Sequence, residues 1–177
     1  MATLIVVPAR YGSTRFPGKP LSLILGRSMV SRVAVRARAA ADILGDAHSV
    51  VATDHEDIAD ACERDGLDVV MTPVNCPSGS DRALAAVEAL GTAPDFILNL
   101  QGDAPFVPVE HIVRVAEALR TGEADVATPY IRLGWLELDT FRAQKQTTPF
   151  SGTTILVGPG GRDLVLKIDP SGHPKRG

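Results

Sequence analysis

The sequence lacks any apolar run long enough to cross a bilayer. A membrane-spanning helix needs about 20 consecutive apolar residues, and the chain of 177 residues contains no such stretch. Its N-terminus also lacks the basic region and the cleavage site of a signal peptide. We therefore expect a cytoplasmic protein that does not bind membranes.

Cysteine is scarce, because Cys62 and Cys76 are the only two in the chain. Two cysteines have neither the number nor the spacing of a disulfide framework or a zinc knuckle, so we expect structural or incidental thiols. We interpret the four histidines as surface or helix-cap residues rather than catalysts: His48, His55, His111 and His173.

Acidic residues are absent from the first 41 positions, which contain seven Arg and Lys. The net charge of −3 nevertheless argues against bulk nucleic-acid binding. Some of the early bases fit the exposed face of a helix, namely Arg32, Arg36 and Arg38. Arg10, Arg15 and Lys19 differ, because they lie in a Gly/Pro loop directly after an apolar segment, where open α/β sheets place their ligands.

Short apolar runs alternate with amphipathic segments along the chain. Strands are predicted at residues 4–7, 49–52, 68–71, 96–100, 126–128 and 153–157, and helices at 29–41, 58–65, 81–90, 109–119 and 135–145. Ser28 and Asp54 are the predicted N-caps of the first two helices. The alternation predicts an α/β fold whose sheet is parallel or mostly parallel, with helices on both faces.

The loop at residues 8–20, PARYGSTRFPGKP, carries the strongest signal. Backbone N–H groups near Gly12 and Ser13 can form an anion-binding nest, while Arg10 and Lys19 supply positive charge. The segment is not a Walker A loop, because Lys19 is followed by Pro20, and this disfavours ATPase chemistry of that type. The loop predicts a polyphosphate site.

Two later segments add chemistry to this prediction, PSGSDR at residues 77–82 and QGDAP at 101–105. Asp103 follows the end of an apolar strand, where its carboxylate can reach a divalent metal or can simply stabilise its own turn. In the first segment, either Ser80 or Asp81 caps a helix, or Ser78 and Arg82 contact a nucleotide. Composition alone favours the cap.

In order and spacing, the three segments together resemble the 3-deoxy-manno-octulosonate (Kdo) cytidylyltransferase family over about residues 3–131. The resemblance implies a Rossmann-like, GT-A-like three-layer α/β sandwich with a mostly parallel sheet. It implies that CTP and Kdo give CMP-Kdo and pyrophosphate for lipopolysaccharide biosynthesis. Three catalytic residues follow from it, Arg10, Lys19 and Asp103, with Mg²⁺ on Asp103. It places cofactor-binding contacts, here to the CTP nucleotide, at Ala9, Ser13, Arg15, Ser78, Arg82 and Gln101.

The sequence also departs from the family pattern. Cys76 and Ser80 stand where the family usually has His and Thr, and residues 133–154 diverge. The acidic keto-sugar partner of CTP can therefore be Kdo, its 8-amino analogue or a sialic acid. A catalytically silent nucleotide-binding remnant is the alternative from another class.

The C-terminal residues do not follow the family pattern. We expect a nucleotidyltransferase domain at residues 1–163, incomplete at its C-terminus, and an aberrant or disordered tail at 164–177. Family members continue into a part that supplies most of the homodimer contact, sugar-binding residues and a second metal-binding aspartate. A natural end, a fragment and a frameshift near Leu164 are the alternatives, since a one-base shift of the back-translated tail gives a family-like segment. Impaired activity is the expectation.

Overall fold

A parallel sheet forms the centre of the N-terminal part of the chain. The structure is a computed structural model that describes residues 1–12, 16–122, 124–147, 156–157 and 163–164. The chain divides into two compact units, Met1–Thr128 and Pro129–Gly177. The first contains β1 (Thr3–Ala9), β2 (Leu23–Ile24), β3 (Arg27–Ser28), α1 (Met29–Leu44), β4 (Ala47–Thr53), α2 (Glu56–Arg64), β5 (Val69–Met71), α3 (Gly79–Leu90), β6 (Phe96–Asn99) and α4 (Val109–Arg120). The second contains α5 (Trp135–Thr147) and a short antiparallel pair, β7 (Leu156–Val157) with β8 (Asp163–Leu164).

The main sheet has four strands within the described residues, in the order β5-β4-β1-β6, and each neighbouring pair is parallel. From β1 the chain moves through α1, β4 and α2 to β5 at one edge. It then returns through α3 to β6 on the other side of β1. The strand order therefore reverses between β1 and β6, and ligands of open α/β sheets bind at the carboxyl ends of strands at such a point.

Apolar side chains cover both faces of the sheet. The core on one face includes alternate residues of β1, Ile5 and Val7, packed with residues of α1, α2 and α4. The core on the other face includes Leu4 and Val6, packed with Ala83 and other residues of α3. This three-layer arrangement confirms the predicted α/β fold with helices on both faces.

The helix caps differ from two of the predictions. Ser28 caps α1 as predicted, since its hydroxyl accepts the Ser31 N–H at 3.2 Å. The prediction that Asp54 caps α2 was wrong, because His55 is the N-cap and its Nδ1 accepts the Asp57 N–H at 3.3 Å. The Asp54 carboxylate is occupied by contacts with distant parts of the chain.

The cap of α3 is Ser78, whereas Ser80 and Asp81 were the predicted candidates.

The strand predicted at residues 126–128 was wrong, because that segment is neither helix nor strand. Val126 is 81% exposed, so its apolar side chain has no sheet to pack on. Tertiary packing, rather than β-propensity, decides whether such a short run becomes a strand.

Several predictions concern residues outside the described part of the chain. Ser13 and Arg15 of the loop at 8–20 lie there, as do the predicted turn at 158–161 and most of the predicted tail. The predicted domain boundary at residue 163 stays a prediction. Among the helices of the described ranges, none is both long enough and apolar enough to cross a bilayer.

Candidate active site

A cleft of about 320 Å³ lies at the carboxyl ends of β1 and β6. Its lining combines the end of β1, the second half of the loop at 8–20, the start of α3 and the turn after β6. Every predicted site residue that the structure describes lines this cleft: Ala9, Arg10, Lys19, Ser78, Arg82, Gln101 and Asp103. The fold thus brings together residues that are far apart in the sequence.

The loop at 8–20 is closed by a backbone hydrogen bond. The Gly18 N–H donates to the Tyr11 carbonyl oxygen at 3.0 Å, and we call this contact the Tyr11–Gly18 closure. Gly18 has a φ of 68°, a left-handed conformation that glycine adopts without strain. Arg10 comes immediately before the closure and Lys19 immediately after it. Both cations therefore stand at the base of the loop, next to the sheet.

Lys19 and Asp103 face each other in the cleft. The Lys19 Nζ lies 2.8 Å from the Asp103 Oδ2, although 84 positions separate the two residues. Their side chains are 44% and 56% exposed, and exposed ion pairs of this kind contribute little to stability. Arg10 is also exposed and has no ion-pair partner among the described residues. An incoming anion can therefore recruit both Arg10 and Lys19.

The start of α3 forms a second wall of the cleft. The Ser78 hydroxyl accepts the Asp81 N–H at 3.2 Å and donates to the Asp81 carboxylate at 2.5 Å. Gly79 begins the helix and lines the cleft. A Cβ added at Gly79 would lie 3.4 Å from a ring carbon of Pro8. A helix N-terminus carries partial positive charge, so this wall also favours an anion. Ser78 is thus a cap and a lining residue at once.

Arg82 is buried behind this wall, with a side chain only 3% exposed. Its Nη2 donates to the Asp54 Oδ2 at 2.9 Å, and its Nη1 donates to the Thr72 Oγ1 at 2.6 Å. Sequence reasoning missed Asp54 and Thr72 as parts of the site. The signal available in the sequence was their position, since Thr72 directly follows the strand predicted at 68–71 and Asp54 lies two residues after the strand predicted at 49–52.

Gly102 brings the turn after β6 against the end of β1. A Cβ at this position would lie 2.5 Å from the Pro8 carbonyl oxygen, a distance that backbone cannot accommodate without moving. The close approach places Gln101 and Asp103 beside the loop at 8–20. Glycine is required here by space rather than by backbone conformation.

Gly102→Ala is therefore expected to lower the free energy of unfolding by about 1–3 kcal/mol, the usual cost of overpacking. Urea unfolding followed by circular dichroism measures the effect. Gly12→Ala is the matched control, because a Cβ at Gly12 meets nothing within 4 Å. Equal unfolding midpoints for the two variants would show that the turn yields easily and does not hold Asp103 in place.

The two cysteines are free thiols in different surroundings. Burial raises the pKa of the Cys62 thiol to about 11. Cys76 is partly exposed and lines the cleft. The chain therefore offers one accessible thiol inside the candidate site and one buried thiol outside it.

Asp103 is the one carboxylate that the described lining of the cleft offers to a divalent metal. The described residues contain no group of three or more His, Cys, Asp or Glu side chains arranged to hold a metal. Asp103 does present an exposed carboxylate beside Lys19 and Arg10. Mg²⁺ is commonly held by one or two carboxylates plus substrate phosphates, so one aspartate next to two cations suits a metal that arrives with its nucleotide.

Solved structures with this fold define the class of protein. The chain matches the CMP:2-keto-3-deoxy-manno-octonic acid synthetase complexed with CTP at a TM-score of 0.63 and 35% identity, over 70% of this chain and 49% of that one. It matches a cytidylyltransferase from Leptospira borgpetersenii at a TM-score of 0.56 and 23% identity, over 70% of this chain and 51% of that one. Fold and cleft together define an α/β protein of the nucleotidyltransferase class.

Sequence comparison assigns the family. The cytidylyltransferase family model matches residues 4–150. The 3-deoxy-manno-octulosonate cytidylyltransferase of Maricaulis maris is 46% identical over 157 residues, which cover 88% of this chain and 60% of that protein. The protein of the same name from Chelativorans sp. is 42% identical over 130 residues, 72% of this chain and 50% of that protein. The chain belongs to the cytidylyltransferase family and spans 60% or less of the length of these relatives.

Proposed function

We propose that this protein transfers the cytidylyl group of CTP to Kdo, giving CMP-Kdo and pyrophosphate. The observation that carries the proposal is the convergence of Arg10, Lys19 and Asp103 in one cleft at the switch point of the sheet. The family match and the names of the two relatives support the choice of nucleotide and sugar. We place this reaction in the cytoplasm, in line with the localisation expected from the sequence.

Different residues of the cleft contact different parts of the nucleotide in the proposed complex. Arg10 and Lys19 hold phosphate oxygens with charge-assisted hydrogen bonds. The N-terminus of α3 adds backbone N–H groups, while Ser78 and Arg82 shape the wall around the nucleotide. We assign Ala9, at the buried end of β1, to the nucleotide side of the cleft, together with the predicted contacts of Ser13 and Arg15. Gln101 faces ribose or sugar.

In the proposed reaction the anomeric hydroxyl of the sugar attacks the α-phosphorus of CTP. The bond from this phosphorus to the bridging oxygen breaks, pyrophosphate leaves, and the hydroxyl proton is released. Arg10 and Lys19 stabilise the negative charge that develops on the departing phosphates. Asp103 is the residue that would hold Mg²⁺, which when bound to the triphosphate supplies further positive charge. Positioning and electrostatics thus account for the chemistry without a nucleophilic side chain.

Pyrophosphate release from CTP in the presence of Mg²⁺ and a panel of sugar acids tests the proposed function. Release with Kdo that exceeds release with sialic acids supports the proposal, and a preference for the 8-amino analogue would reassign the sugar. Binding of CTP without pyrophosphate release on any sugar would identify a silent nucleotide-binding module. The proposal fails if neither binding nor release is observed.

Thiol labelling tests where CTP binds. At pH 8 iodoacetamide is expected to alkylate Cys76 and spare Cys62, because a thiol of pKa about 11 is ionised to only about one part in a thousand at that pH. CTP with Mg²⁺ is expected to slow the labelling of Cys76, which mass spectrometry of the two cysteine peptides measures. If CTP binds by calorimetry but leaves the labelling rate unchanged, the nucleotide lies outside this cleft.

A further inference from the structure

We infer that Asp54 is a positioning residue that holds the two cations of the cleft in place. It touches neither nucleotide nor sugar in the proposed site, and it acts through the backbone of the loop at 8–20. The expected effect of Asp54 on CTP affinity rests on the proposed function. The contacts of Asp54 with the loop at 8–20 and with α3 do not depend on that proposal.

The Asp54 carboxylate joins two distant segments. One oxygen, Oδ1, accepts the Tyr11 N–H at 3.1 Å, and the other, Oδ2, accepts the Arg82 Nη2 at 2.9 Å. The Asp54 and Arg82 side chains are 8% and 3% exposed, so the carboxylate and the guanidinium are largely shielded from water. A single carboxylate at the end of β4 therefore connects the loop at 8–20 with α3.

The contact with Tyr11 determines where the cations stand. Tyr11 is one partner of the Tyr11–Gly18 closure, and this closure lies between Arg10 and Lys19. Because Arg10 and Lys19 are the immediate neighbours of the closing residues, the closure sets the separation of their backbones. Asp54 in turn fixes the closure relative to the sheet. The Tyr11 ring adds a second attachment on the same side, stacked on His55 with centroids 3.9 Å apart.

The contact with Arg82 attaches the start of α3, the second wall of the cleft, to the same Asp54 carboxylate. Arg82 also donates to the Thr72 Oγ1, and the Thr72 hydroxyl donates to the Thr53 carbonyl oxygen at 3.0 Å. The start of α3 is thus held to the ends of β4 and β5. Buried ion pairs are a poor source of stability compared with apolar side chains, since desolvation offsets much of their attraction. The main contribution of Asp54 is therefore to position the loop at 8–20 and the start of α3, rather than to raise the free energy of unfolding.

Two double variants separate positioning from the ion pair. Asp54→Asn/Arg82→Met and Asp54→Leu/Arg82→Met both remove the buried charges and replace Asp54 by side chains of similar size. Asparagine keeps a carbonyl oxygen that can accept the Tyr11 N–H, whereas leucine does not. We expect the Tyr11 and Gly18 amides to exchange about 3- to 10-fold faster in the leucine variant, the effect of one hydrogen bond.

Hydrogen exchange of the purified chain measures this difference whether or not CTP binds. The Gly45 amide, which donates to the Ala41 carbonyl at the end of α1, is the internal control and should exchange equally in both variants. Asp46→Asn is the ion-pair control, because Asp46, just before β4, pairs with Arg120 at the end of α4 and with the N-terminus. It should leave the Tyr11 and Gly18 amides unchanged. Equal exchange of these two amides in the two double variants would overturn the inference.

Calorimetry with CTP and Mg²⁺ gives the functional arm of the test. The asparagine variant is expected to bind CTP about 3- to 10-fold more tightly than the leucine variant, the same single hydrogen bond being at stake. Equal affinities would overturn the positioning role. If the parent chain binds no CTP, the proposed function fails, and the exchange comparison still decides whether Asp54 holds the loop.

Discussion

Lys19→Met is expected to weaken CTP binding about 10- to 100-fold, since each charge-assisted hydrogen bond to a phosphate is worth about 1.5–3 kcal/mol. Lys19 follows the Tyr11–Gly18 closure, so its ammonium group stands at the base of the loop, within reach of the cleft. Isothermal calorimetry with CTP in the presence of Mg²⁺ measures the change. The unfolding midpoint should hardly move, because the Lys19 side chain is 44% exposed and its pair with Asp103 contributes little.

Lys145→Met is the matched control for this variant. Lys145 lies on α5, in the second compact unit, with its ammonium group 5.2 Å from the Phe141 ring centroid. The substitution removes the same charge from the chain at a residue that is not part of the cleft's described lining. If both variants weakened CTP binding equally, net charge rather than a specific contact would explain the loss, and the role of Lys19 would be disproved.

Asp103→Asn is expected to change CTP affinity in opposite directions with and without Mg²⁺. Without metal, the Asp103 carboxylate neutralises Lys19 and repels the triphosphate. Its removal should tighten binding about fivefold, since one unit charge at about 4 Å in water is worth about 1 kcal/mol. With Mg²⁺, the variant lacks the carboxylate that would hold the metal. CTP should then bind more weakly than it does to the parent, and added Mg²⁺ should no longer tighten binding.

The reversal of sign makes this prediction selective. A merely structural role for Asp103 would weaken binding under both conditions, and an irrelevant side chain would change neither. Asp139→Asn is the control, because Asp139 is an exposed acid that pairs with Arg142 on α5. Two titrations of each variant, with Mg²⁺ and with EDTA, are sufficient. Tighter binding of Mg²⁺-CTP to Asp103→Asn than to the parent would exclude Asp103 as the metal residue.

Most of the fold was predictable because its signals are local. The apolar run around Ile5 and Val7 and the amphipathic spacing of α1 depend only on neighbouring residues, and both predictions were confirmed. The strand predicted at 126–128 failed because a short apolar run becomes a strand only where a sheet edge receives it. The residues around 126–128 do not indicate whether a sheet edge is available to them.

The residues of the candidate site were also predictable, whereas the long-range contacts that position them were not. Residue type and position after strands indicated Arg10, Lys19 and Asp103 as candidates, and the family resemblance implied their roles. The structure places all three in one cleft. Asp54 was misassigned as a cap, because its partners lie 43 and 28 positions away and only folding brings them together. Gly102 was visible as part of a turn, yet its contact with the Pro8 carbonyl depends on the pairing of β1 with β6.

Titration of the 177-residue chain with CTP in the presence of Mg²⁺, alongside Lys19→Met, tests most directly whether this cleft binds the nucleotide. We predict saturable binding at one site in the parent and binding weakened about 10- to 100-fold in the variant. A flat titration of the parent, or equal affinity in both proteins, would contradict the assignment of the cleft as a CTP site.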